Sequence, residues 1–253
     1  MVFKLEKNKF SIIIANYNSS EFMSRTMNSI LNQTYQNFEV LIVDDASIDN
    51  SINILSEYAK KDKRIKVFQN SKNLGVAKTR NKALEHVTGQ YLCFLDCDDW
   101  WPKEKLQLYF EKFKNGYELI YSSYSKYYEK KDSYKFIEVD TFRSYKKICC
   151  TNFVPFSTAS YDAEKLGIYK FNSKYWPEDW IYWIDIIKEN PKIIAINKNL
   201  MFYSVGESNV SKSKFKMIAS AWFIFRKYHK YNFFKSFIAL YFYAFYAIEK
   251  YIK

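Results

Sequence analysis

The sequence predicts an α/β fold built on a doubly wound, mainly parallel sheet with helices on both faces. Short apolar runs alternate with helix-period segments along the first hundred residues, which is the pattern of successive β-α units. These runs are apolar throughout, as expected for strands covered on both faces. A chain of 253 residues with 48% hydrophobic content can also bury the core that such a sheet needs.

Each element of the first hundred residues is predicted from a local pattern. Four apolar runs are assigned as strands, over residues 10–15, 38–43, 65–68 and 91–95. The segments between them have apolar residues at helical spacing. They predict helices over residues 20–33, over 52–59 with Ser47 or Asp49 as the cap, and over 76–86.

The alternation loosens after Pro102. The pattern predicts, in order, a helix over 103–113, a strand over 118–122, a Tyr/Lys-rich hairpin or loop over 124–140, an extended segment over 153–161, a helix opening after Pro177, strands over 193–196 and 201–203, and two aromatic, basic helices after Lys212.

We divide the chain into a main domain, residues 1–211, and a C-terminal helical appendage, residues 212–253. The main domain has a first half, 1–100, and a second half, 101–211. The net charge of +12 belongs mostly to the appendage, where nine Lys/Arg face one Glu. The nearly balanced main domain, with paired acids, argues against binding to nucleic acid.

Several classes of function are excluded by what the sequence lacks. Five glycines are too few and too scattered to form a G-x-G-x-x-G or a P-loop. Two histidines and four cysteines without C-x-x-C spacing make a Ser-His-Asp triad or a structural zinc site improbable. Any nucleotide chemistry must therefore use carboxylates and a metal ion.

The most informative segment is the end of the fourth predicted strand. An apolar run leads directly into Asp96-Cys97-Asp98-Asp99, followed by two tryptophans and Pro102. Carboxylates this close raise each other's pKa unless a cation lies among them. Mg²⁺ or Mn²⁺ would suit, because these ions take oxygen ligands and share them with phosphates. The alternative is a solvated acidic turn.

Polar segments also follow the other predicted strands, where open α/β sheets place their ligands. They are Asn16-Tyr17-Asn18, Asp44-Asp45, and the stretch from Asn73 through Gly75 to Arg80, with Glu178-Asp179 following later. Together with Asp96-Cys97-Asp98-Asp99, these segments follow one another in an order that closely resembles the family 2 glycosyltransferases, which are inverting enzymes of the GT-A fold. The resemblance covers roughly residues 10–211 and is of the bacterial surface-polysaccharide type.

The resemblance implies a nucleotide-sugar site in the first half of the domain. Asn16, Tyr17, Asn18, Asp44 and Asp45 are similar to the family's nucleotide pocket. A carboxylate there can accept a hydrogen bond from the imide N–H of uracil, which favours a UDP-sugar donor. The alternative for Asp44 and Asp45 is an Asx turn or helix cap.

The resemblance assigns Arg80 to pair with the carboxylates or the diphosphate, and Asp96 to the ribose side. The alternative for Arg80 is a surface cation on an amphipathic helix. Asp98 and Asp99 resemble the ligands of Mn²⁺ or Mg²⁺, whose charge would stabilise the departing diphosphate. Gly75, in the segment that leads to Arg80, is a further candidate site residue with less support.

Asp179 resembles the general base that deprotonates the acceptor hydroxyl, with Glu178 the less certain half of the pair. Nearby tryptophans supply a desolvated wall for a base. The alternative is that both acids cap a helix.

One segment departs from the family pattern. Many relatives carry a histidine or arginine near residues 203–211 that helps to hold metal or diphosphate, and this chain has neither there. Backbone N–H groups near Gly206 and the hydroxyls of Ser208 and Ser211 are candidate substitutes.

The appendage has two interpretations. Its aromatic helix with basic flanks fits an anionic membrane surface, or it packs on the main domain or in a homodimer. We expect a cytoplasmic enzyme. If the appendage binds a membrane surface, the enzyme would be peripheral on the inner face of the cytoplasmic membrane. It would transfer a sugar to a growing glycan on a lipid carrier. The alternative is a catalytically silent nucleotide- or carbohydrate-binding module of the same fold.

Overall fold

The computed structural model describes residues 4–139, 141, 144–205 and 214–252. Its strands are β1 (Glu6–Asn16), β2 (Phe38–Asp44), β3 (Ile65–Gln69), β4 (Gly89–Phe94), β5 (Leu119–Ser122), β6 (Tyr124–Tyr128), β7 (Ser133–Ile137), β8 (Ser160–Asp162), β9 (Ile193–Ile196) and β10 (Phe202–Ser204). Its α-helices are α1 (Ser20–Leu31), α2 (Ser51–Lys61), α3 (Val76–Leu84), α4 (Lys105–Lys114), α5 (Tyr145–Cys150), α6 (Ala163–Leu166), α7 (Glu178–Lys188), α8 (Lys214–Phe223) and α9 (Phe233–Ile252).

A seven-stranded sheet with the order β3-β2-β1-β4-β8-β5-β9 forms the centre of the protein. All its pairings are parallel except those of β8, which runs antiparallel to β4 and β5. The order reverses direction after β1, so the chain is doubly wound and a crevice opens at the carboxyl ends of β1 and β4. The predicted fold class is confirmed.

The apolar runs form the central strands because both faces of the sheet are covered. Every residue of β2 and β4 is buried. Successive residues of β1 point to opposite sides, so Ile12 and Ile14 join one core and Ile13 joins the other. The helices that cover these two faces leave the polar carboxyl ends of the strands as the part of the sheet that can contact a ligand.

A smaller sheet with the order β10-β6-β7 lies beside the crevice. The segment over 124–140, left open as hairpin or loop, contains the antiparallel hairpin of β6 and β7. A bridge between Trp100 and Phe202 connects this sheet to the end of the acidic segment, so β10 is held against Asp99.

Two predictions about local elements are wrong. Helix α2 begins at Ser51, and its N-cap residue is Asn50, which makes no side-chain cap bond. Asp49 accepts from the Ser51 N–H and also from the Ser20 N–H at the start of α1, and Ser47 accepts from the Asn18 N–H. The segment predicted as extended over 153–161 contains a 3₁₀ turn (Phe156–Thr158) before β8.

The C-terminal helices pack on the main domain. Ala221 of α8, Ala239 of α9 and Ile224 of the π-helical turn (Ile224–Tyr228) between them share a core with α7. Across the described residues, no helix combines the length and apolarity needed to cross a bilayer. The division at residue 211 stays a prediction.

Candidate active site

A cleft of about 670 Å³ opens at the carboxyl ends of the parallel strands. It brings together most of the site residues predicted from the sequence, which are Asn16, Tyr17, Asn18, Asp45, Gly75, Arg80, Asp96, Asp98, Glu178 and Asp179. Asp44 and Asp99 are fully buried and do not belong to the cleft lining. Gly206, Ser208 and Ser211 lie outside the described residues.

The loops after β1 and β2 are joined by one hydrogen-bond network with a buried bond at its centre. The Asn16 amide donates to the Asp44 carboxylate over 2.7 Å, and Asp44 also accepts from the backbone N–H and the hydroxyl of Ser47. The Ser47 hydroxyl in turn accepts from the Asn18 N–H. Asp44 therefore fixes the shape of the loop, and its direct contact with a nucleotide stays a prediction.

Asp45 fixes the loop that precedes α3. Its carboxylate accepts hydrogen bonds of 2.8 Å from the Asn70 amide and from the backbone N–H groups of Leu74 and Gly75. Although burial opposes it, these bonds hold the pKa of Asp45 below its ordinary value. Gly75 has a φ of +84°, a conformation that glycine adopts without strain.

Arg80 connects the two acidic segments of the cleft. Its guanidinium donates to Asp96 over 2.6 Å and to Glu178 over 2.7 Å. The group lies 3.9 Å from the centre of the Phe156 ring and is almost fully buried. A buried guanidinium needs such partners, so the expectation that Arg80 pairs with the carboxylates of the site agrees with this geometry.

Asp98 lines the cleft and Asp99 lies beneath it. Burial, followed by the charge of Asp96, raises the pKa of Asp98 to about 6. Burial and both neighbouring carboxylates raise the pKa of Asp99 well above its ordinary value. One oxygen of Asp99 accepts from the N–H of Ser204, and the other has no hydrogen-bond partner in the described part of the chain.

This arrangement fits a divalent cation that is bound together with a diphosphate. The acidic cluster has a buried oxygen without a donor, and a cation would favour the ionised carboxylates. Across the described ranges, no three His, Cys, Asp or Glu side chains form a ready-made metal site. A Mg²⁺-type ion usually takes one or two protein carboxylates and completes its shell with phosphate and water. Asp98 is the carboxylate that lines the cleft, and metal ligation by Asp98 or Asp99 stays a prediction.

Asp179 lies in the first turn of α7, half-buried in the lining of the same cleft as Asp98. Its two oxygens accept from the Asn152 amide over 3.0 Å and from the Trp180 N–H over 2.8 Å. Burial, then the charge of Glu178, raises the pKa of Asp179 to about 7, while Arg80 opposes the shift. A carboxylate with such a pKa can accept a proton near neutral pH.

Three supporting residues escaped the sequence analysis. Asn152 contacts Asp179 from a segment without a motif, and no pattern could have revealed it. Arg25 of α1 donates to the backbone oxygen of Asp98 over 3.2 Å and lies 3.9 Å from the Trp100 ring centre. Ser157 accepts from the N–H of Asp96. Each holds an acidic segment in place.

The strand order and the acidic cleft define the class of this protein as a glycosyltransferase of the GT-A fold. Among solved structures, S. aureus TarS 1–349 superposes with a TM-score of 0.65 and 25% identity, covering 78% of this chain and 60% of that fragment. The mannosyltransferase PcManGT from Pyrobaculum calidifontis, in complex with GDP-Man and Mn²⁺, superposes with a TM-score of 0.66. At 16% identity, with 88% of this chain and 64% of PcManGT covered, it shows the fold alone.

The family model "Glycosyl transferase family 2" matches residues 11–166, and the chain belongs to this family. It is 30% identical over 242 residues to the putative teichuronic acid biosynthesis glycosyltransferase TuaG of Bacillus subtilis, covering 95% of this chain and 96% of TuaG. It is 32% identical over 215 residues to WfgD of Escherichia coli, a UDP-Glc:alpha-D-GlcNAc-diphosphoundecaprenol beta-1,3-glucosyltransferase, covering 84% of this chain and 83% of WfgD.

Proposed function

We propose that this glycosyltransferase transfers a sugar from a UDP-sugar to a hydroxyl of a growing, lipid-linked glycan, with inversion at the anomeric carbon, in the synthesis of a surface polysaccharide. The relatives support the substrate classes: WfgD is named for a UDP-Glc donor and a diphosphoundecaprenol-linked acceptor. TuaG is named for teichuronic acid, and TarS has been solved with UDP-GlcNAc.

The observation that carries the proposal is the Arg80 bridge. It connects Asp96, in the acidic segment after β4, with Glu178, the neighbour of Asp179. The donor-side acids and the candidate base therefore border one cleft. An inverting transfer needs this arrangement, because the nucleophile must approach the anomeric carbon from the face opposite the leaving group.

In the proposed reaction, Asp179 takes the proton of the acceptor hydroxyl. The acceptor oxygen forms its bond to the anomeric carbon while the bond between that carbon and the UDP oxygen breaks. Asn152 and the Trp180 N–H orient the carboxylate, and the raised pKa matches a base that works near neutral pH. Asp98, with Asp99 beneath it, would hold a Mn²⁺ or Mg²⁺ ion that supplies positive charge to the departing diphosphate.

On the nucleotide side, the proposal uses the network already in place. Asn16 is buried at the cleft, and its side-chain amide oxygen, Oδ1, has no hydrogen-bond partner in the described ranges. Its amide is held by Asp44, so this oxygen is presented in one orientation. Tyr17 is 47% exposed at the cleft mouth and offers a ring face to a base.

The experiment is a calorimetric titration of UDP, with and without Mn²⁺, followed by a screen of UDP-sugars with lipid-diphosphate acceptors. We expect Mn²⁺-dependent UDP binding and turnover of one donor with inverted configuration. Asp62→Asn, which removes a half-buried acid that pairs with Arg64 outside the cleft lining, is the matched control for changes in the cleft. No UDP binding under any condition would contradict the proposal, and UDP binding without turnover of any donor would favour a catalytically silent module.

A further inference from the structure

Helix α9 exposes a continuous apolar stripe. We use the name outer stripe for six exposed residues of this helix: Phe234, Phe237, Ile238, Tyr241, Phe245 and Ile248. Their spacing of three or four residues places them on one side of the helix. Phe234 and Tyr241 are 79% and 68% exposed. A face of this size that is apolar along the length of a helix marks an interaction surface.

The orientation of the stripe is fixed by the opposite face of the helix. Ser236 and Ala239 are buried against the domain, and the Tyr243 ring stacks on Trp180 with 5.8 Å between ring centres. Rotating α9 to bury the outer stripe would break these contacts. The stripe therefore faces outward in the folded protein.

The surroundings of the stripe are cationic. Arg226, Lys227, Lys230 and Lys235 are exposed around the start of the helix. The sequence contains no Asp or Glu between residues 214 and 248. Apolar side chains bordered by cations complement a surface that is anionic on the outside and apolar beneath.

We infer that α9 docks the protein on a bilayer that contains anionic phospholipids. The outer stripe enters the boundary between headgroups and acyl chains, and the four cations contact lipid phosphates. A 20-residue helix is about 30 Å long and lies along the surface rather than across it. A second copy of the chain fits less well, because a two-fold contact buries the same face of both chains, and neither chain has an Asp or Glu between residues 214 and 248 to pair with these cations.

Docking would bring the acceptor side of the cleft close to the lipid. Trp180, which holds Tyr243 of α9, directly follows Asp179. Tyr175, next to the cleft residue Trp176, contacts Phe223 and Tyr228 with ring centres 5.6 and 6.0 Å apart. The inference rests on the proposed function and deepens it, since a lipid-linked acceptor would meet the cleft from this side. The test of the inference measures membrane binding and does not depend on transferase activity.

The test is co-sedimentation of the full chain with vesicles of phosphatidylcholine alone or with phosphatidylglycerol. We expect binding to the anionic vesicles that weakens with salt. The triple variant Phe234→Ser, Phe237→Ser, Tyr241→Ser should bind at least roughly tenfold more weakly, because each buried CH₂ adds to membrane affinity. The double variant Lys227→Glu, Lys230→Glu should lose a similar factor, because each cation near an anionic surface contributes to binding.

The matched control is Phe136→Ser, which removes an aromatic ring of comparable exposure, 49%, from strand β7. It should bind vesicles like the unchanged protein. The inference is overturned if the unchanged protein does not bind vesicles, or if both α9 variants bind them as strongly as the unchanged protein does. A dimer in sedimentation that the triple variant dissolves, without vesicle binding, would assign the stripe to a second copy. Calorimetry with UDP on the same samples reports separately on the cleft, so the two proposals can fail independently.

Discussion

The carboxylates in and around the cleft fall into two groups, whose pKa values are shifted in opposite directions by their surroundings. On the proposed nucleotide side, Asp45 and Asp49 each accept two backbone N–H bonds, and both pKa values are lowered, that of Asp49 to about 2. On the reaction side, Asp98, Asp99 and Asp179 are desolvated among aromatic side chains or other acids, and all three pKa values are raised.

Under the proposed function, this difference suits the acids of one fold to two tasks. Loops after parallel strands and before helix N-termini present N–H groups, which stabilise an ionised carboxylate as a permanent part of the structure. The reaction side provides burial with fewer donors, and under the proposed function its acids would be completed by a cation at Asp98 and by a substrate proton at Asp179. The following predictions test this contrast, from the largest expected effect to the smallest.

Asp179→Asn removes the proton acceptor while keeping the shape of the side chain. We expect turnover to fall about 10²- to 10⁴-fold, with UDP binding unchanged, as measured by donor-transfer kinetics and calorimetry. Asp185→Asn, on the same helix but bonded to Tyr228, is the control and should keep turnover. Unchanged turnover in Asp179→Asn would remove this residue from the mechanism.

Asp98→Asn removes the accessible carboxylate of the proposed ion site. Because a cation is worth several kcal/mol to a diphosphate in such a site, Mn²⁺-dependent UDP binding should weaken by roughly 100-fold or more. Metal-independent binding should persist, because the nucleotide-side network is intact. A variant that still responds fully to Mn²⁺ would place the ion elsewhere.

The pH profile tests the raised pKa of Asp179. A carboxyl with a pKa of about 7 is mostly protonated at lower pH and cannot accept the hydroxyl proton. Turnover with saturating donor should therefore fall about tenfold per pH unit below pH 7 and level off above it. Asn152→Ala removes a donor to the ionised form, so the midpoint should move upward by roughly half to one unit. A flat profile would contradict the assignment.

Asp45→Asn addresses the nucleotide side. The variant loses charge-assisted bonds to the loop before α3, and we expect its free energy of unfolding to drop by about 2–3 kcal/mol at pH 7 in urea titrations. Because the folded pKa is lowered from 3.8, this stabilisation is present above that value and is lost as the pH falls below it. The two proteins should therefore converge in stability in acid, and a difference that is constant with pH would contradict this origin.

Gly75→Ala should have the smallest effect. A Cβ at this position meets no atom within 4 Å, so the cost comes from the φ of +84° alone. We expect a loss of about 1–2 kcal/mol in stability. Gly167→Ala, at a position with a φ of +85° and equally open space, is the control. It should lower the free energy of unfolding by the same amount and leave UDP binding unchanged.

Much of the fold was predictable because it follows from local patterns. Continuous apolar runs identified β1 to β4, and strand β9 was placed at the residues the structure shows, 193–196. The antiparallel strand β8 was not predictable as a sheet member, since its three residues are assigned only by their pairing with Tyr91–Cys93 and Leu119–Ile120.

The candidate site was predictable as a set of segments but not as a set of contacts. Asp44 and Asp45 are adjacent and chemically identical, yet one is held beneath the cleft by Asn16 and the other lines it. The alternation of side chains at the end of β2 and the distant Asn70 decide this. The partner of Asp179, Asn152, likewise depends on tertiary packing that no motif records.

The Arg80 bridge limits how this enzyme can be recombined. The two carboxylates that hold its guanidinium lie 16 and 98 residues away along the chain, one in the first half of the main domain, 1–100, and one in the second half, 101–211. A chimera that imports a new second half without an acid at the position of Glu178 would leave a buried cation half-paired, at a cost of about 3–5 kcal/mol. Exchange of acceptor specificity by swapping segments should therefore succeed only among chains that keep this acid.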